Sequence, residues 1–103
     1  MIVRSKNIDF ALGAAESLFG FLPDQIIRGG RQQSLITARF FVIQILIESG
    51  MSQIEVAKQL FGRWTGRISH ATDTVKERIK IEPATALLWE EFRGEFIKRR
   101  SNH

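Results

Sequence analysis

Five arginines carry most of the chemistry this chain could perform: Arg28 and Arg31 bracket two glycines, Arg39 follows, and Arg63 and Arg67 bracket Trp64-Thr65-Gly66. A guanidinium is permanently charged and planar, and its forked donors match phosphate oxygens or the O6 and N7 acceptors on a guanine edge. Arg28-Gly29-Gly30-Arg31 has the glycines of a phosphate-cradling loop, but no Gly-Lys-Ser/Thr ending follows and no strand precedes it. A nucleotide triphosphate site is therefore not expected. His70 could be a metal ligand or a general base, yet the other histidine is the final residue, His103, and there is no cysteine. A histidine that packs or hydrogen-bonds is the better reading. Glu90, Glu91 and Glu95 read as solvated helix positions, since acid-base work would need a cleft that raises a pKa. With no converging nucleophile, acid pair or metal set, the sequence predicts no enzyme, no metal and no cofactor.

The chain has 103 residues, 44% of them hydrophobic, which predicts one domain with a single core. Fifteen Lys and Arg against eleven Asp and Glu give a net charge of +4 and favour a polyanionic partner. The excess is local, because Arg28, Arg31, Arg39, Lys58, Arg63 and Arg67 face only Glu48 and Glu55 in the same stretch. Without cysteine there is no disulfide framework, and the amino-terminal stretch around Arg4, Lys6 and Asp9 lacks a signal-peptide or membrane-spanning pattern. A soluble, cytoplasmic protein is expected.

The elements that must position the arginines read as helices throughout. A first helix is expected over Ile8 to Phe19 with Gly20 as its left-handed stop, then one short turn from Pro23 to Ile27, then the Arg28–Arg31 loop. The run Phe40 to Ile47 is β-branched and aromatic enough for a buried strand. Helix over Gln32 to Ser49 is preferred, because about eighteen residues is too long for an ordinary strand and no second run exists to pair with it. Ser52 and Glu55 have capping-box spacing and open a helix whose inner face is expected to be Ile54, Ala57, Leu60 and Phe61, stopped at Gly62. A second helix follows from Thr65 to Lys80, with Ile68, Ala71, Thr72, Val75 and Ile79 inward and Thr65 as N-cap. Arg67 and His70 lie on its outer face, but Asp73 and Glu77 further along would repel phosphates, so only its first two turns could enter a groove of DNA. Glu82-Pro83 opens a last helix to Arg99, with a stripe of Leu88, Phe92 and Phe96 and Trp89 alongside.

Taken together, Ile26 to Arg31, Ala38-Arg39, Ser52 to Ala57, and Gly62-Arg63 with Ser69-His70-Ala71 resemble the carboxy-terminal DNA-binding domain of the bacterial replication initiator DnaA, over roughly residues 14–79. The resemblance implies an all-α, Trp-repressor-like bundle of five to six helices containing a helix-turn-helix, with the helix over 83–99 as an addition. It implies that Arg31 reaches into a minor groove, that Arg28 begins the basic loop, and that Arg39 contacts phosphate. Gly62-Arg63 matches the signature's opening and His70-Ala71 its close. Between them the family carries Asp-His-Ser/Thr-Thr where this chain has Trp64, Thr65, Gly66 and Arg67, so the base-reading positions differ. Nothing resembles the initiator's ATPase domain.

The DNA-facing set so implied is Arg28, Arg31, Arg39, Arg63, Trp64, Thr65, Gly66, Arg67 and His70. Within it Arg63 suits phosphate and Arg67 a guanine edge. Trp64 could anchor the turn or touch a thymine methyl, and Thr65 could cap its helix while offering a hydroxyl to phosphate. The expected function is sequence-specific binding of double-stranded DNA in the regulation of replication or transcription, in a bacterial or phage setting and associated with the nucleoid. The alternative is a helical protein-interaction module that keeps the scaffold without reading DNA. For the last helix, core packing and a homodimer contact both remain open.

Overall fold

The computed structural model describes residues 5–62 and 67–102, and contains no strand among them. Arg63, Trp64, Thr65 and Gly66 lie outside the described residues, and so do the roles expected of them. Six helices follow in order: α1 (Lys6–Phe19), α2 (Pro23–Arg28), α3 (Gln33–Glu48), α4 (Gln53–Phe61), α5 (Arg67–Ile81) and α6 (Pro83–Ser101). The all-α bundle expected from the sequence is what forms.

Local signals set the boundaries. The Ser5 hydroxyl accepts from the backbone of Asn7, and Gly20 closes α1 at φ 80°, in the left-handed region that an L side chain avoids. Pro23 opens α2, where the Gln25 side chain accepts from the backbone N–H of Leu22 at 2.8 Å. The capping box of α4 is complete: Glu55 N–H donates to Ser52 Oγ at 3.1 Å and Ser52 N–H to Glu55 Oε1 at 3.2 Å. Gly62 ends α4 at φ 75°.

α3 is the centre of the molecule and packs against all five other helices. Leu35, Ala38, Phe41, Val42, Ile43, Ile45 and Leu46 are all buried, so it is apolar around most of its circumference. A helix packed on most of its sides needs little polar face, which is why its sequence carries a strand-like run without the alternation of a half-buried strand. Phe41 sits at the middle, with ring centroids 5.7 Å from Phe19, 5.2 Å from Trp89 and 5.5 Å from Phe92.

Two inner faces differ from expectation. In α4 the buried residues are Val56, Ala57 and Leu60, while Ile54 is 54% exposed and Phe61 only partly covered. At about 100° of turn per residue, a face centred on those three leaves Ile54 more than a quarter-turn away. In α6 the buried stripe is Thr85, Trp89, Phe92 and Phe96, with Leu88 at its edge. α6 runs along α1 and α5 and contributes Trp89, Phe92 and Phe96 to the same core as the other helices, leaving Leu87 and Ile97 as its exposed large apolar residues.

Candidate nucleic-acid interface

The basic loop leaves α2 at Arg28, and Gly29 follows at φ 93°, a conformation that explains a glycine there. Arg28 and Arg31 are both exposed, one on each side of the glycine pair. Arg39 reaches the end of α2, beside this loop, from α3: its Nε–H donates to the backbone carbonyl of Ile26 at 2.7 Å. Its Nη2 is buried without a hydrogen-bond partner. Burial, and secondly the positive charge of Arg67, hold the Arg39 guanidinium below the usual arginine range. Arginine is so strong a base that the group stays protonated, and two cations are therefore held near one another across α3 and α5.

At the start of α5, Arg67 and His70 are exposed while Ile68 and Ala71 point into the core. This division is the 3.6-residue period at work. α5 is tied to the start of α4 by Ser69 Oγ, which donates to Gln53 Oε1 at 2.9 Å, and within α5 Thr72 Oγ1 donates to Ser69 O at 2.9 Å. His70 lies edge-on to Phe40 of α3, with centroids 6.4 Å apart. Packing against an aromatic ring is the role its isolation in the sequence suggested. Among the described residues no group of three or more His, Cys, Asp or Glu could hold a metal ion.

These parts meet around one open groove of about 820 Å³ between the basic loop, α3 and α5. Arg28, Gly29, Gly30, Arg39, Arg67 and His70 line it, over an apolar floor that includes Ile36, Phe40 and Ile68. Of the residues expected to face DNA, Arg28, Arg39, Arg67 and His70 come together here from three separate helices. Arg31 is exposed on the loop but does not line the groove. Asp73 and Glu77 are exposed on the later turns of α5, interleaved there with the exposed Lys76 and Lys80, so acidic groups break up the positive charge beyond the first turns.

The Gln53–Ser69 tie, the Phe40 floor and the Ile26 carbonyl are contributors that the sequence did not single out. Each joins residues from different helices, and no local spacing marks such a pair.

Among the described residues no helix is long and apolar enough to cross a membrane. Comparison with models of known protein families, with curated proteins and with solved structures found no match.

Proposed function

We propose that this protein binds double-stranded DNA sequence-specifically and regulates replication or transcription. The observation that carries the reading is the convergence of Arg28, Arg39, Arg67 and His70 on one groove beside α5, although they come from three helices. The first turns of α5 enter the major groove, where Arg67 meets a base edge, while Arg31 on the basic loop extends into the adjacent minor groove. Exposed cations of the basic loop, Arg28 among them, meet phosphates and set the register.

Selection of duplexes from a random pool tests binding and site together. With about five or six phosphates neutralised, log K falls with log salt at a slope near −5, from roughly −0.9 per contact. Absence of duplex binding at low salt removes the proposal.

A second reading, a helical protein-interaction module, draws on Ile81 and Leu87, which are 64% and 68% exposed on either side of the α5–α6 junction. Tight association with a protein partner, alongside duplex binding that shows no sequence preference, would favour it.

A further inference from the structure

Arg39 is placed to organise the basic loop. Its Nε–H is engaged by the Ile26 carbonyl, one of the last in α2, where the helix has run out of backbone donors and a cation is favoured. The flat guanidinium lies against Gly29: a Cβ at that position would stand 3.5 Å from Nη2 and 3.8 Å from Cζ. Nη2 is covered by protein, with no hydrogen-bond partner. A donor covered in this way is closed to a phosphate approaching over the loop, although Arg39 borders the groove, whereas Arg28 and Arg31 are exposed.

We infer that Arg39 is a positioning residue: it braces the Arg28–Arg31 loop against α3 and presents the two loop arginines, and is not itself one of the phosphate contacts. For its effect on binding this rests on the DNA-binding reading above; the brace itself does not. Lysine separates the two roles. A phosphate contact accepts an ammonium as a point charge, but an ammonium lacks the planar fork that bonds Ile26 through Nε while its Nη2 and Cζ sit beside Gly29.

The experiment compares the intact chain with Arg39→Lys, Arg31→Ala and the double variant. One readout is the initial rate of tryptic cleavage after Arg28 and Arg31 without DNA, well below the melting temperature, which follows local opening of the loop. The other is affinity for a duplex selected by the unaltered protein, analysed as a double-mutant cycle. Arg39→Lys should raise loop cleavage about fivefold or more at a retained melting temperature. It should weaken duplex binding about tenfold, and most of that loss should vanish in the Arg31→Ala background. Unchanged cleavage in Arg39→Lys overturns the brace, as do losses that simply multiply. If Arg39→Lys melts early, Arg39→Met is digested beside it, and loop protection in both overturns the inference. If the unaltered protein selects no duplex, the DNA-binding reading falls while the cleavage rates still decide the brace.

Discussion

Arg67 is the residue on which base reading would depend. It is exposed at the beginning of α5, within electrostatic reach of Arg39, and its forked donors match a guanine edge. Arg67→Ala should cost about 1 to 3 kcal/mol on the selected site and relax preference at one base pair, whereas Arg28→Ala should weaken all duplexes alike and reduce the salt slope by about one. Titrations of matched and mismatched duplexes at several salt concentrations check this division; equal losses on every sequence from both changes would refute it. At this scale the sequence revealed the type and rough neighbourhood of the groove arginines. It did not reveal that one of them, Arg39, is half-buried with its Nε already engaged, because its partner Ile26 lies on another helix.

At the scale of elements, the junction of α5 and α6 is held by a polar relay. Arg78 donates to Thr37 of α3 at 3.0 Å and to Glu82 at 3.4 Å, and Thr85 donates to the same Glu82 oxygen at 2.8 Å. The bond from Thr85, and then the charge and bond from Arg78, hold the Glu82 carboxyl below its ordinary value, with desolvation opposing. A carboxyl whose pKa is lowered on folding stabilises the fold at neutral pH, and that contribution is lost as pH falls through the usual carboxylate range and below. Thermal melts of the unaltered protein and Glu82→Gln should therefore differ at pH 7 and converge towards pH 3; a gap that is the same at every pH would show that the ionised form of Glu82 plays no part. Helix starts and stops were legible because caps act within four residues: Gly20, Pro23, Ser52 with Glu55, Gly62 and Pro83 each do what their type implies. The inner face of α4 was less so, since Ile54 and Val56 are equally apolar and only the direction of approach of neighbouring helices buries the second.

At the scale of the molecule, α6 shares the common core. Phe92 is fully buried against Phe41 and Trp89, and Phe96 is 2% exposed. Phe92→Ala should cost about 3 to 5 kcal/mol, a large part of the roughly 5 to 15 kcal/mol that holds a small domain together. Leu87→Ala, at a surface position of the same helix, should stay within about 0.5 kcal/mol. Urea unfolding measures both, and a mild effect of Phe92→Ala would mean that α6 is an appendage the rest of the bundle does not need. The same packing governs the groove, because α3 supplies its floor from one side while its other sides hold α1 and α6 in place.

By itself the sequence determined the helical class, the order of the helices and most of their ends, since period, capping and glycine stops are written over a few residues. It also determined that positive charge gathers between Arg28 and Arg67. Only the tertiary structure decided which apolar residues face inward on α4 and α6, that Arg28, Arg39, Arg67 and His70 share a groove, and that Arg39 is anchored to the end of α2 beside the loop it adjoins. Those outcomes depend on where helices distant in the chain cross one another, and the crossings follow from the summed packing around α3 and not from any local spacing.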